Sequence, residues 1–545
     1  AGVSSGSGHI SVLSSGAQTF SAAGDVSTGS RVDGATTIRG SIDLSAGSTL
    51  TMAAGTALAT DGGNVRLSTT GTSSDVTLGV VDARTTSDRG ANTLAQQSAA
   101  PGWGSVAIVA SGSVLDAAAD TATPTNVYAN GLRVSAGGSV GVLGTSVNAI
   151  ETEVVTLAAS AGSGGINLID DTALTIGSVS SVVVNRVTSA GGVSAEPATA
   201  EAALAGLSTT ASSNGSIVAR ATALTVSNAV GANGSGNVLL QAQSGAMTVN
   251  AGVSSGSGHI SVLSSGAQTY GAAGDIATGS RVVGADTVRG TVDIDANASI
   301  TMNAGAEFTT DGGNLRISAT GAASDITLGD VAAATGSVGI VAGRSILDAD
   351  ALAGTPLAND SDLDITAASV RLTASGSVGV QGASANAIET EAVTLAAAAE
   401  AGGITVLDAS ALTIGTVSPV AVKRVTATGE LSGADPTDAS ALAGLATTSN
   451  GTVLARAESM TVDMAVSANG SGNVLLQSQN GAMAVNAGVS SGSGHISVLS
   501  SGAQTYGVAG DIATGSRVEG AAAVRGTVDI EAAASITMDA GAEFT

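Results

Sequence analysis

The twenty residues AGVSSGSGHISVLSSGAQTF at 1–20 return at 251–270 with one change, Phe20 to Tyr270, and return again at 487–506, identical to the second copy. Close self-similarity at a long period is the mark of a repeat architecture, in which each unit repeats the packing of the one before. The chain divides into 1–250 as copy one, 251–486 as copy two and 487–545 as the start of copy three. Copy one carries 18 residues, Thr86 to Trp103, that copy two lacks. The larger length changes fall in stretches rich in Ser, Thr, Ala, Asp, Pro and Gly, while the apolar pattern on either side keeps its register. Loops on a regular scaffold behave this way. The third copy stops within a motif, so the sequence reads as a piece of a longer repetitive polypeptide.

A shorter period lies inside the long one. In 236–265 apolar residues alternate with polar ones at Val238 and Leu240, at Met247 and Val249, and at Ile260 and Val262. Period-two alternation predicts strands with one buried face, and the Gly, Ser and Asn between them supply turns. Val238 and Ile260 are 22 residues apart, Ile42 and Val65 are 23, and Ile10 and Ile42 are 32, the last spacing predicting one coil that carries a loop. A unit of about 22 residues cannot bury its apolar face alone but can do so stacked on copies of itself. The expected fold is all-β, a parallel β-helix with inward Val, Ile, Leu and Met in columns and loop excursions between coils. Composition agrees. Hydrophobic residues make up 43 % and aromatics 1 %, which suits a thin aliphatic core rather than a wide globular one closed by rings. Two alanine-rich segments, Glu196 to Leu207 and Asp435 to Leu445, occupy equivalent places and are expected to form one recurrent excursion, with room for a helical turn or two.

The formal net charge is −25 and Lys423 is the only lysine. Nucleic acids and anionic lipids need clustered Lys or Arg, so neither is an expected partner. There is no cysteine, which excludes disulfides and thiolate zinc sites. No apolar run approaches the length of a membrane span.

The phrases GSGNVLLQAQSGAMTVNAGVSSGSGHISVLSSGA and GSIDLSAGSTLTMAAGTALATDGGNVRLSTTG resemble the shaft repeats of filamentous haemagglutinin-type large exoproteins, giant repetitive surface adhesins of Gram-negative bacteria. The resemblance implies a right-handed β-helix, an extracellular or cell-surface location, and adhesive or structural work.

Candidate site residues are few. His9, His259 and His495 occupy one equivalent position, with no converging ligands nearby in sequence, and are expected to be turn or surface residues. Asp360, Asp362 and Asp364 in NDSDLDI are the best cation candidate, because alternating carboxylates suit calcium. Copy one reads TPTNVYANGL there, so a solvated loop is the expected role. Trp103 is expected to pack its loop back on the shaft, and Phe20, Tyr270 and Tyr506 to plug a turn or stack on the coil wall. The sequons at Asn214, Asn233, Asn450 and Asn469 read as turns. No catalytic residue and no cofactor is assigned. A structural or adhesive fibre shaft is the first reading, self-associating or engaging a host-cell, neighbouring-cell or glycan surface. A carbohydrate-active β-helix enzyme, which needs a carboxylate cluster, and an ice- or mineral-binding ladder, which needs a sustained Thr-x-Thr row, are the alternatives. For the coil interior, Val238→Asp is expected to cost several kcal/mol, and Ser255→Asp in the adjoining turn to be nearly silent.

Overall fold

The computed structural model describes residues 1–91, 102–118, 125–210, 214–350, 363–382, 385–437 and 440–545. The chain forms two compact units. The first comprises Ala1–Ser264 with Val425–Ser432, and the second Ser265–Arg424 with Gly433–Thr545. Each is a stack of coils held by parallel strand ladders, a parallel β-helix. No described helix is long and apolar enough to cross a membrane.

One coil of the first unit shows how the sequence does this. Val238–Ala242, Met247–Val249 and Val253–Ser255 are three short strands separated by turns, and Ile260–Ser264 begins the next coil. Val238 pairs in parallel with Ile260 and Leu240 with Val262. Side chains alternate across a strand, so Val238, Leu240, Met247 and Val249 all point inward and are at most 1 % exposed. Each stacks on its equivalent in the coil before and after, as Ile217, Val238 and Ile260 do. The predicted spacings are the observed registers. Ile42 pairs with Val65. Ile10 pairs with Ile42, and the surplus residues between them form a hairpin, Ser30–Asp33 with Thr36–Arg39. One corner brings successive backbones together so closely that only glycine fits: a Cβ on Gly63 would overlap the carbonyl oxygen of Gly40, and one on Gly104 that of Gly63.

The second unit repeats the pattern. Val292, Leu315, Val338 and Val370 form one inward column. In both units the named strands that pair antiparallel lie in excursions from the coils.

Four expectations need correction. Ser255 is not in a solvated turn. It ends a strand, is 6 % exposed, donates its hydroxyl to Gly236 O and accepts from Gly258 N, both at 2.7 Å. An aspartate there would lose a buried donor and introduce a charge, so Ser255→Asp is disruptive and exposed Ser254 is the proper control. The segments at 196–207 and 435–445 hold no helix among their described residues. Their bases are antiparallel pairs, Ser178–Val179 with Leu204–Ala205 and Thr416–Val417 with Leu442–Ala443. Tyr270 and Tyr506 do not sit on the coil wall. Tyr270 and Tyr506 are fully buried, edge-on to Phe308 and Phe544 with ring centroids 4.7 and 4.8 Å apart, and their hydroxyls donate to Gln268 and Gln504. Inside a narrow coil a tyrosine is tolerated because that glutamine's oxygen accepts the hydroxyl's hydrogen bond. Finally, the residues unique to copy one begin with a short helix, Thr86–Ala91, rather than irregular loop.

Candidate functional site

Of the three aspartates proposed for a cation, Asp360 and Asp362 lie outside the described residues. Asp364 is described, and it is not in a solvated loop. It is 5 % exposed, immediately before the strand Ile365–Ala374. Its carboxyl accepts from Glu389 N at 2.9 Å, and one oxygen each of Asp348, Asp364 and Glu389 lie within 4.8 Å of one another. Burial, then the neighbouring Asp348 and Glu389 charges, pushes the Asp364 carboxyl well above the usual carboxylate range.

The first unit shows what this position requires. Asp348, Asp364 and Glu389 align with Asp116, Asn126 and Glu151 of copy one. There Asn126 Nδ2 donates to Asp116 Oδ1 at 2.6 Å, and Asn126 Oδ1 accepts from Glu151 N at 3.0 Å. A protonated Asp364 would keep an acceptor for Glu389 N and regain a donor for a neighbouring carboxylate. A hard cation would need six to eight oxygens, and both Asp348 oxygens already accept, from Asn386 Nδ2 and Asp350 N. The donor set fits a held proton better than calcium.

This gives a prediction with a sign. A carboxyl whose folded pKa is raised contributes most below its unfolded pKa, about 4, and that contribution is lost as pH rises through the folded value. Asp364→Asn should therefore stabilise the second unit at pH 7 by about 1–3 kcal/mol, with the gain shrinking toward pH 4 and indifferent to calcium. Hydrogen exchange along Ile388–Ala399 at both pH values measures it. A loss of protection at pH 7, or a calcium dependence that the variant abolishes, would restore the cation reading.

A second buried polar group lies in the first unit beneath the extra residues of copy one. Asp82 binds Arg84 at 2.7 Å and Arg89 at 3.0 Å. The Arg84 guanidinium lies 3.7 Å from the Tyr128 ring centre. Glu153, on the strand beside Tyr128, is 3 % exposed, and its Oε1 has no hydrogen-bond partner among the described residues. Burial pushes its carboxyl up to about 7, Arg84 opposing and Asp170, Asp171 and Asp82 adding to the shift. Trp103 is 6 % exposed and donates to Asp88 Oδ2 at 2.7 Å, so it anchors the excursion rather than presenting a ring. Copy two lacks the residues equivalent to Thr86–Trp103. Its equivalent of Glu153, Glu391, is exposed and lines a shallow groove with Thr335, Thr366, Val393 and Ser410.

Near both groups a buried aspartate holds a bulge. Asp170 accepts from Thr152 Oγ1, Val154 N, Thr172 N and Thr172 Oγ1, and Asp408 does the same with Thr390, Ala392 and Ser410. Four donors on one carboxylate make a structural clamp, fully occupied, with no lone pair directed at a substrate.

The histidines stay at a corner. His9 Nδ1 meets Ser41 Oγ at 3.0 Å and Nε2 meets Asn185 at 3.2 Å, while His495 Nδ1 meets Thr527 Oγ1 at 2.8 Å. The sequons form turns. Asn214 and Asn450 accept from Ser235 N and Ser471 N, and Asn233 and Asn469 donate to Thr209 O and Thr447 O.

Two features escaped the sequence. One is a column of outward threonines, Thr156, Thr175, Thr225 and Thr248 in the first unit and Thr394, Thr413 and Thr461 in the second. It is one threonine wide, not a Thr-x-Thr pair. The other is that each excursion lies back along the coils as a strap. In the first unit Asn185 N donates to Ser41 Oγ, Arg186 binds Asp43 at 2.5 Å and Val187 N donates to Ser11 Oγ. Glu201 is held by Arg66 and Arg133, both at 3.1 Å. In the second unit Lys423 N donates to Thr291 Oγ1, and Arg424 grips Asp293 and Asp295, each at 2.6 Å.

No known family's model, no curated protein and no solved structure matches the chain.

Proposed function

We propose that the chain is shaft material of an extracellular bacterial surface fibre, structural or adhesive in role and assembling with copies of itself. The observation that carries this reading is the uninterrupted stacking within each unit. Each coil continues the aliphatic column of its neighbour, and the large differences between copies are confined to excursions. A scaffold of this kind gains reach with each added coil, whereas a catalyst gains nothing from duplicating a frame without its site. The acidic surface supports self-repulsion in solution unless specific contacts offset it, so assembly would rest on particular faces. Of the buried carboxylates described above, Asp170 and Asp408 are taken up by clamps and Asp82 by ion pairs, which leaves these three unsuited to acid–base work on a polysaccharide.

The test is direct. Full chain immobilised on beads should retain host cells, neighbouring bacterial cells or a glycan array when the fibre is adhesive. Electron micrographs of the chain, or of native surface material, should show a filament of constant width. Absence of any filament together with cleavage of uronate or glycan polymers, lost on Asp362→Ala, would replace this reading with an enzymatic one.

A further inference from the structure

Each copy sends out a hairpin at one equivalent place. The hairpins are Ser30–Asp33 with Thr36–Arg39, Ser280–Val283 with Asp286–Arg289, and Ser516–Glu519 with Ala522–Arg525. Each turns through a glycine in the left-handed region, Gly34, Gly284 or Gly520. The base is fixed to the coils, Arg39 donating to Asp61 O at 2.7 Å and Arg289 to Asp311 O at 3.0 Å. The arms are bare. Val32, Val282 and Val518 are 74, 75 and 78 % exposed, the three most exposed of the large hydrophobic residues described. Copy two has chain on both sides of it, so the exposure of Val282 is a property of the repeat and not of a terminus.

The first strand of each hairpin also has an open backbone edge. Gly40 N donates to Gly29 O, Gly290 N to Gly279 O and Gly526 N to Gly515 O. Bonded and non-bonded pairs alternate along an antiparallel ladder. A bonded Gly29–Gly40 pair makes Arg31–Ile38 and Asp33–Thr36 the next bonded pairs, so the N–H and C=O of Val32 point out of the hairpin. Val282 and Val518 stand the same way. Each hairpin is a two-stranded sheet, with no third strand on that edge among the described residues. An edge of this kind is a template for another chain.

We propose that the strand Ser30–Asp33 docks, edge to edge and antiparallel, on the equivalent hairpin strand of a second copy of the chain, with valine opposite valine. Charge selects that register. Residues i and i+2 share a face of a strand, as Arg517 and Glu519 do in an ion pair at 3.2 Å. With Val32 opposite Val32, Arg31 of each chain faces Asp33 of the other. A shift to the next bonded register in either direction sets Arg31 against Arg31 or Asp33 against Asp33, and like charges directly opposite are destabilising. Charged residues on an edge commonly guard against pairing, but an opposite pair on either side of one valine permits a single register. Ser516–Glu519 repeats the pattern as Arg517, Val518 and Glu519, so it pairs with itself or with Ser30–Asp33. Ser280–Val283 has Val283 in the acidic place, which makes its edge apolar rather than ionic. One such contact is small. A hairpin in every copy makes the contacts additive through the effective concentration that linkage provides.

The inference rests on the self-association in the proposed function and gives it a contact. The chain has no cysteine, so introduced thiols report the pairing cleanly. Residues opposed in a bonded pair have Cα atoms about 5.5 Å apart, within reach of a disulfide. The intact chain carrying Val32→Cys with Val518→Cys should form a covalent dimer on mild oxidation. Thr37→Cys with Ala523→Cys, exposed on the other strand of the same hairpins, should form far less. Adding Asp33→Arg with Glu519→Arg to the first variant should lower the dimer yield about tenfold or more. Further addition of Arg31→Asp with Arg517→Asp should restore it, because the opposite charges are then exchanged rather than lost. Sedimentation of the wild type over a range of concentrations should show association. Association without preferential capture at positions 32 and 518, or capture indifferent to the charge reversal, would overturn this inference alone. A monomer at all concentrations would overturn it together with the self-association reading.

Discussion

Val238→Asp should unfold the coils around it at a cost of about 3–5 kcal/mol, while Ser254→Asp, one coil face away and exposed, should leave stability within about 0.5 kcal/mol. Val238 is fully buried between Ile217 and Ile260. A carboxylate at that point has neither water nor a cation to meet, and the column gives it no donor. The loss should also be local in origin and wide in effect. In a stack each coil contacts only its neighbours, so one damaged coil weakens two interfaces at once. Hydrogen exchange should show lost protection centred on Ile217–Val226, Val238–Ala242 and Ile260–Ser264, and denaturant unfolding should become less cooperative. Equal effects of the two substitutions would mean that the inward and outward assignments are wrong, and with them the columns on which the fold depends.

That assignment was legible because it needs only local information. Period-two alternation over five residues and a return after 22 or 23 residues identify Val238, Ile260, Ile42 and Val65 as members of stacked columns. The 32-residue gap from Ile10 to Ile42 correctly marked a coil with a loop. What was not legible involves contacts that alternation does not encode. Arg186 and Asp43 are 143 residues apart, and nothing in the residues between says that the excursion folds back rather than outward. The threonine column is broken up in sequence by the unequal lengths of successive coils, so its members line up only once the register is known. Ser255 reads as a turn serine because the segment is rich in Ser and Gly, yet the corner is so tight that its hydroxyl satisfies two backbone groups. The aspartates of NDSDLDI looked like one exposed run. The strand starting at Ile365 draws Asp364 inside, and its meaning emerges from its copy-one counterpart, Asn126. That substitution was visible in the alignment of the copies. Only the burial and the Asp348 and Glu389 neighbours turn it into a statement about a proton.

Arg186→Ala should release the strap of copy one. Asp43 is fully buried and Arg186 is its ion-pair partner at 2.5 Å, so the variant strands a carboxylate under the hairpin Val184–Val187 with Val193–Glu196. Removing one member of a buried pair costs about 3–5 kcal/mol. The remaining holds on the hairpin are three bonds from its backbone groups, to Asn64, Ser41 and Ser11, and the Asn185 contact with His9; the Glu201 ion pairs with Arg66 and Arg133 and a small apolar patch of Val179, Val182 and Leu204 on Ala107 and Ala158 hold the flanking parts of the strap. Neutral bonds contribute about 1 kcal/mol each, so together they do not offset an unpaired buried charge, and the hairpin should lift while the coils stay intact. Limited proteolysis should then cut between 184 and 196, and the amides of Asn185 and Val187 should exchange rapidly, with Ile42–Ala46 still protected. The double variant Asp43→Asn with Arg186→Met should restore most of the protection, because the net worth of a buried pair is small even when breaking it is costly. If Arg186→Ala alone leaves the hairpin protected, the strap is held by its backbone bonds and apolar patch.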